Sequence, residues 1–339
     1  MNRIEFIDII KGFAILLVVI GHFMEDSIEG NGNTLRSFNF IYTFHMPLFM
    51  FAGGYIAQLQ YKNISISNIG KYILNKTRGL LIPYIMWASV FSAYFAGTLD
   101  WSTIPHRILT TFTEYRGLWF LITFFALSVA GNIGAVFLNA INTKKKLLVD
   151  SLITIILLAI FLFLNKSFHY ELWRQSIAYF PFFFIGVWLK RYQFLETLSE
   201  SDWFYWISFF LFFFFSSMFI EGMADIRNNL YRLLGGLFSI FVFTYLAKKC
   251  ILYNIVRKLL LKLGTYSLAI YCVHWAFLRM FVHKGFLGNM FTEWWLLLIA
   301  IPISLLISFL CIWFAKLIAT VPVLDFFIFG KKMKKLNIR

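Results

Sequence analysis

Long apolar runs recur along the whole chain, and their length constrains the fold more than any other feature. Runs long enough to cross a bilayer lie at about 4–24, 40–60, 79–97, 118–140, 147–165, 174–190, 203–221, 230–247, 263–283 and 294–316. Hydrophobic residues make up 60% of the chain and charged residues only 14%. The runs are continuous and lack the alternation of barrel strands. The sequence therefore predicts an all-α, polytopic integral membrane protein with about ten transmembrane helices.

Basic residues are concentrated in every second connection between the runs. These connections include Lys190 with Arg191, the "KKK" at Lys144–Lys146 and the C-terminal "GKKMKKLNIR". Since basic loops stay on the cytoplasmic side, we expect both termini to be cytoplasmic and the protein to lie in a bacterial cytoplasmic membrane. The same topology accounts for the net charge of +15, so no nucleic-acid partner is expected.

The N-terminal run could be a cleaved signal peptide, because a short basic start precedes an apolar stretch. However, Lys11 interrupts the apolar region and no small-residue cleavage site follows "GHFMED", so we expect a retained first span. No soluble domain or long linker is evident between the runs. Residues 1–339 are therefore expected to form a single membrane-embedded domain.

Three ionisable residues stand in the first run, "IEFIDIIKGFAILLVVIGH". An ionisable group within a span costs about 2.5 to 3.5 kcal/mol, and such groups usually line a cavity. Lys11 and His22 lie about 16 Å apart along a helix and project from the same side, with Asp8 one turn below Lys11. Two interpretations remain open. The residues line a reaction path, or Asp8 and Lys11 form a structural ion pair while His22 caps the helix.

The second run contains "FHMPLFMFAGGY", which places His45 near its outer end beside Pro47. Pro47 can break the local helix ladder, and Gly53 and Gly54 permit close helix packing. A hairpin that joins the first two spans would bring His22 and His45 to a similar depth in the membrane. This pairing favours the reaction-path interpretation of the first run.

Basic residues precede the third run in "KTRGLLIPY", where Lys76 and Arg78 stand on its cytoplasmic side. Snorkelling basic residues are common at this depth and act as topology signals. The alternative is that Arg78 and its neighbours hold an anionic cofactor, since guanidinium groups bind phosphates through paired donors.

The ninth run, "GTYSLAIYCVHWAF", carries Ser267, Tyr271 and His274 on one helical face. Three polar groups on one face of a lipid-embedded helix usually look toward a cavity, although a histidine packed in the core is the alternative. Trp119 opens the fourth run in "GLWFL", and its position favours an interfacial anchor.

The chain resembles the acyltransferase-3 superfamily of membrane-bound O-acyltransferases, particularly its fucose 4-O-acetylase-like branch. The resemblance covers nearly the whole chain and rests on six segments in order, "DIIKGFAILLVVIGH", "FHMPLFMFAGGY", "RGLLIPY", "LWFL", "YFPFFFIGVWLK" and "GTYSLAIYCVH". The wider superfamily has an arginine where this sequence has Lys11, whereas lysine is usual in this branch. Related proteins often carry an extra soluble catalytic domain, which we do not expect here because the sequence ends after its last predicted span.

The resemblance implies an acyltransferase domain that moves an acetyl or other short acyl group from acetyl-CoA, or another acyl-CoA, to a hydroxyl group. The acceptor would be a cell-surface glycan or a lipid-linked sugar. His22 would be the general base. Lys11 would stabilise negative charge or position the thioester, and His45, Tyr271 and His274 would orient the acceptor or the base.

The resemblance also implies a donor site, in which Arg78, with Lys76 as helper, holds the phosphates of CoA. Asp8, Ser267 and Trp119 would support the substrates or the catalytic groups. No metal is expected, because the three cysteines are far apart and lie in or beside apolar segments.

A secondary transporter or lipid-glycan flippase is the main alternative, since about ten spans with intramembrane charges would suit one. Such transporters tend to have paired halves with matching interruptions. The C-terminal half contains no second span with the spacing of Lys11 and His22, which favours the enzyme. A membrane sensor or scaffold needs no buried ionisable groups and is favoured least.

Overall fold

The computed structural model describes residues 4–28, 34–95, 97–115, 117–141, 145–250, 254–282, 285 and 293–331, which form helices and no strand. The all-α prediction is therefore confirmed for these residues. The α-helices are α1 Glu5–Ser27, α2 Arg36–Tyr61, α3 Ile69–Lys76, α4 Ile82–Ile85, α5 Ser92–Phe95, α6 Ile104–Thr113, α7 Trp119–Ala140, α8 Lys146–Phe168, α9 Glu171–Arg191, α10 Gln193–Leu198, α11 Asp202–Met218, α12 Ile226–Cys250, α13 Asn254–Thr265, α14 Ser267–Phe281, α15 Glu293–Ile318 and α16 Pro322–Phe329.

Six helices in the described part of the chain are long and apolar enough to cross a membrane, namely α1, α2, α7, α8, α12 and α15. Two shorter apolar helices, α11 and α14, coincide with the predicted runs at 203–221 and 263–283. The predicted run at 174–190 lies within α9, which contains Pro181. The chain is a multi-pass membrane protein. Residues 332–339 and Lys144, which contribute to the predicted cytoplasmic charge, lie outside the described residues.

The run predicted at 79–97 belongs to a longer helical segment, 69–95, in which α-helix alternates with π-helix. The π-helical turns are Thr77–Leu81 and Met86–Phe91. Pro83 stands between them and cannot donate a backbone hydrogen bond. This favours a local change in the hydrogen-bonding pattern of the helix. The length of the apolar run predicts a span here, but it does not predict the π-helical turns.

The chain divides into two compact units. Unit 1 comprises residues 1–52 and 188–315, and unit 2 comprises residues 53–187 and 316–339. Helices α2, α9 and α15 each contribute residues to both units.

A close helix contact organises unit 1. A Cβ atom added at Gly12 of α1 would overlap the carbonyl oxygen of Leu260 in α13. A Cβ atom added at Gly264 would overlap the carbonyl oxygen of Asp8. Small residues allow two helix backbones to approach in a membrane. The backbones of α1 and α13 therefore touch at the level of Asp8 and Gly12.

Glycines also mediate the packing of unit 2. Gly53 lies against the ring of Phe124, and Gly54 lies against the carbonyl group of Phe183. These contacts confirm the prediction that Gly53 and Gly54 permit close packing. Gly330 ends α16 with a φ of 65°, and its backbone lies against that of Arg78.

Candidate functional site

The first and ninth predicted spans meet at their histidines in unit 1. The imidazole rings of His22 in α1 and His274 in α14 stack with centroids 5.3 Å apart. The Trp275 ring lies 4.6 Å from the His22 ring. Because 252 residues separate His22 from His274 in the sequence, only tertiary packing brings these rings together.

The third histidine is linked to α1 through a tyrosine. The rings of His45 and Tyr42 in α2 lie 4.8 Å apart, and the Tyr42 hydroxyl is 3.5 Å from Glu25 Oε2. Tyr42 also packs against Gly21, one residue before His22. We refer to His22, Tyr42, His45 and His274 as the histidine cluster.

Backbone carbonyls orient the two histidines that are buried. The Nδ1 atom of His45 lies 2.8 Å from the carbonyl oxygen of Ile41, and that of His274 lies 2.9 Å from the carbonyl oxygen of Ile270. A carbonyl oxygen only accepts, so each Nδ1 carries the hydrogen. In the neutral rings, both Nε2 atoms are therefore hydrogen-bond acceptors.

His22 has a carboxylate partner instead. Its Nδ1 lies 3.3 Å from Oε2 of Glu25, and its side chain is 24% exposed. When Nδ1–H donates to this carboxylate, Nε2 retains the lone pair that can take a proton. Glu25 would also stabilise the imidazolium ion that results. This arrangement is suited to general-base chemistry.

Sequence reasoning missed the roles of Glu25, Tyr42 and Trp275. Glu25 lies just beyond the predicted run at 4–24, but α1 continues to Ser27 and includes it. The spacing of three residues between His22 and Glu25 places both on one helix face, and this spacing could have indicated the pair. No local pattern indicated Tyr42 or Trp275, because both reach His22 or its partner from other helices.

The short connection between α11 and α12 brings a second carboxyl group, that of Glu221, next to α2. Glu221 lies in the connection because α11 ends at Met218, before the predicted limit of that run. The amide nitrogen of Glu221 donates to Asn39 Oδ1 at 2.9 Å. Burial raises the pKa of the Glu221 carboxyl. The Arg232 guanidinium partly offsets this rise, and the Glu25 carboxylate adds to it.

Lys11 and Asp8 form the predicted ion pair, with 2.6 Å between Lys11 Nζ and Asp8 Oδ1. The pair lies beside the contact between α1 and α13, because Gly264 packs against the Asp8 backbone. Lys11 is about 16 Å along α1 from His22, so it is not part of the histidine cluster.

Only part of the polar face of α14 lies next to the histidine cluster. The rings of Tyr271 and His274 lie 6.1 Å apart. Ser267 begins the helix after a break at Tyr266, about 10 Å below His274 along the axis. Tyr271 therefore borders the cluster, whereas Ser267 lies apart from it.

The residues predicted to bind CoA lie in unit 2, on segment 69–95. Arg78 Nε donates to the carbonyl oxygen of Gly330 at 3.2 Å, and Arg78 Nη2 donates to Asn75 Oδ1 at 3.2 Å. The Lys76 ammonium lies 5.2 Å from the ring centroid of Phe124 in α7. Within the described residues this ammonium has no ion pair or hydrogen bond. Arg78 thus has a structural role at the end of α16, while the Lys76 ammonium lies over an aromatic face.

Trp119 belongs to unit 2, is half-buried and packs against another helix. Its ring is 5.2 Å from that of Tyr179 in α9. The Tyr115 hydroxyl donates to the Trp119 carbonyl oxygen at 3.2 Å. This packing goes beyond the interfacial anchor that was expected.

Fold and site together define a multi-pass membrane protein that holds a half-buried, carboxylate-supported histidine among aromatic rings. In the described part of the chain, no group of three His, Cys, Asp or Glu side chains could hold a metal ion. The chain belongs to the acyltransferase-3 family, since the acyltransferase domain of that family matches residues 4–313.

Two relatives are both called nodulation protein NolL. The relative from Sinorhizobium fredii (strain NBRC 101917 / NGR234) is 30% identical over 205 residues, which cover 59% of this chain and 51% of the relative. The relative from Mesorhizobium japonicum (strain LMG 29417 / CECT 9101 / MAFF 303099) is 30% identical over 125 residues, or 36% of this chain and 33% of the relative. The chain thus matches about half the length of the first and a third of the second. No solved structure matches this chain significantly.

Proposed function

We propose that this protein is a membrane O-acetyltransferase. It transfers an acetyl group from acetyl-CoA to a hydroxyl group of a cell-surface glycan or lipid-linked sugar. The observation that carries the proposal is the pairing of His22 Nδ1 with Glu25, which leaves Nε2 as a base beside the buried ring of His274. Membership of the acyltransferase-3 family supports the reaction class.

The proton transfer begins at His22. Nε2 takes the proton of the acceptor hydroxyl as its oxygen attacks the thioester carbonyl carbon. The C–S bond then breaks, the acetyl ester forms, and the CoA thiolate takes up the proton from the imidazolium ion. Glu25 stabilises the positive charge that develops on the ring.

The other two histidines position the acceptor. Both Nδ1–H groups are held by backbone carbonyls, so the Nε2 atoms of His45 and His274 can accept hydrogen bonds from sugar hydroxyls. The Nε2 atom of His274 is buried and has no partner within the described residues. Trp275 supplies an aromatic face beside His22. These features support binding of a polyhydroxylated acceptor.

The donor site is assigned to unit 2. The Lys76 ammonium and the remaining donors of Arg78 can bind phosphate oxygens of CoA. We place both termini on the cytoplasmic side, so these cations face the compartment that contains acetyl-CoA. Lys11 remains paired with Asp8 as a charge-balanced cation on α1, about 16 Å from the reacting groups at His22.

The direct test uses the purified full chain in lipid nanodiscs with acetyl-CoA labelled in the acetyl group. We expect saturable binding of acetyl-CoA and transfer of label to a glycan or lipid-linked sugar extracted from the same membranes. A flippase would move the lipid-linked sugar between leaflets without binding acetyl-CoA. Lipid movement without acetyl-CoA binding would therefore overturn the proposal.

A further inference from the structure

Tyr42 contacts the carboxylate that supports His22, although it lies on a different helix. Its hydroxyl is 3.5 Å from Oε2 of Glu25, and Nδ1 of His22 is 3.3 Å from the same oxygen. A carboxylate oxygen has two lone pairs and only accepts, so the phenol O–H and the imidazole N–H can both donate to it. Oε2 of Glu25 therefore connects a side chain of α2 to the proposed base on α1.

The ring of Tyr42 is packed on three sides. Its centroid lies 3.8 Å from that of Phe38 and 4.8 Å from that of His45. On the third side, a Cβ atom added at Gly21 would lie 2.8 Å from Cε2 of Tyr42, so the ring rests on the backbone of α1. A side chain that is packed in this way has few rotamers to choose from. The position of its hydroxyl is therefore well defined.

The Glu25 carboxylate is less constrained by its surroundings. Its side chain is 46% exposed, compared with 24% for His22, and it lies two residues before α1 ends at Ser27. A long side chain that is nearly half exposed has several rotamers, and water competes for its oxygens. A donor on a fixed ring restricts that freedom.

We propose that Tyr42 is a positioning residue for the general base, an assignment that rests on the proposed function. Its O–H donates to Oε2 of Glu25 and keeps the carboxylate beside Nδ1 of His22. This contact favours the tautomer of His22 in which Nε2 carries the lone pair. Tyr42 itself transfers no proton. A distance of 3.5 Å is long for an O–H···O hydrogen bond, and hydrogen bonds between catalytic groups often shorten when substrate binds.

The test measures acetyl transfer by the full chain in nanodiscs for Tyr42→Phe, Glu25→Gln and the double variant. Phenylalanine keeps the packed ring and removes only the hydroxyl. We expect Tyr42→Phe to lower kcat by about three- to ten-fold and to leave KM unchanged for acetyl-CoA and for the extracted acceptor. In the Glu25→Gln background, the same substitution should cause no further loss, because both side chains act through one contact.

Tyr61→Phe is the matched control. Tyr61 also lies in α2, its ring rests on Gly131, and its hydroxyl donates to the carbonyl oxygen of Ser128 at 3.1 Å. It belongs to unit 2 and is not part of the histidine cluster. Each variant thus removes one hydrogen-bonding hydroxyl from a tyrosine that packs on a glycine. Only Tyr42→Phe should lower kcat.

Two results would overturn the role of Tyr42. An additive loss in the double variant, or a raised KM for the acceptor, would show that Tyr42 acts on the acceptor and not through Glu25. An unchanged kcat in Tyr42→Phe would leave Tyr42 with a packing role only. Failure of the unaltered protein to transfer acetyl groups would instead overturn the proposed function, so the two failures are distinguishable.

Discussion

The histidine cluster of unit 1 and the cation segment 69–95 of unit 2 hold their polar groups in different ways. In the cluster, His22 has a carboxylate partner and the other two histidines donate to carbonyls. In segment 69–95, the helix is interrupted by π-helical turns, and the Lys76 ammonium contacts an aromatic face. We propose that the cluster is preorganised to direct a proton and that the segment binds an anion.

The largest effect is expected when His22, the proposed general base of the histidine cluster, is removed. His22→Ala should lower acetyl transfer by about a hundred- to ten-thousand-fold, because a general base is lost, while acetyl-CoA binding stays near normal. Transfer is measured at matched membrane levels. His106→Ala is the control, since His106 is exposed and lies in α6. Full activity of His22→Ala would show that His22 is not the base and only caps the helix.

A smaller effect is expected when His22 keeps its ring but loses its carboxylate. Glu25→Gln should lower kcat by about ten-fold and leave KM for acetyl-CoA unchanged, because a charge-assisted hydrogen bond to the imidazolium is lost. Glu25→Asp should retain part of the activity. An unchanged kcat in Glu25→Gln would show that Glu25 does not support the base.

Substitution of Arg78 in unit 2 should alter the affinity for acetyl-CoA instead. Arg78→Ala should weaken acetyl-CoA binding by about ten-fold or more, since charge-assisted contacts with phosphate are lost. It should also lower thermal stability, because Arg78 donates to the Gly330 carbonyl oxygen. Arg174→Ala serves as the control, since Arg174 is an exposed arginine in an ion pair with Glu171. Lower stability with unchanged affinity would leave Arg78 with a structural role only.

Glycine substitutions compare the packing of the two regions. Gly12→Ala should destabilise unit 1 by about 1 to 3 kcal/mol, because its Cβ atom would overlap the Leu260 carbonyl oxygen. Gly70→Ala in α3 should be tolerated, because nothing lies within 4 Å of an added Cβ atom. Thermal unfolding in detergent measures both. Equal stability of the two variants would contradict the close contact between α1 and α13.

The smallest effect concerns pH. Burial raises the folded-state pKa of Glu221, so the folded protein holds this proton more tightly than the unfolded chain. Its contribution to stability is present below the unfolded pKa and is lost as pH rises through the folded pKa. Glu221→Gln should therefore be less sensitive to pH across that window, as measured by melting temperature. An identical pH profile in the variant would contradict the raised pKa.

The candidate site was predictable where it depends on spacing within one helix. Asp8 and Lys11 are three residues apart, so their ion pair follows from helix geometry. The motif that contains Lys11 and His22 also supported the family assignment. The prediction that residues 1–339 form one acyltransferase domain stays a prediction. The roles assigned to Lys11, His22 and Arg78 likewise remain to be tested.

The sequence by itself determined the membrane class, because runs of apolar residues must form helices that satisfy their own backbone hydrogen bonds in lipid. It also determined which residues share a helix face. Only the tertiary structure decided that His274 stacks on His22, that Tyr42 reaches Glu25, and that Arg78 holds the end of α16. These contacts join residues that are distant in sequence. They depend on how closely helix backbones approach at glycines such as Gly12 and Gly264, and apolar periodicity does not encode that approach.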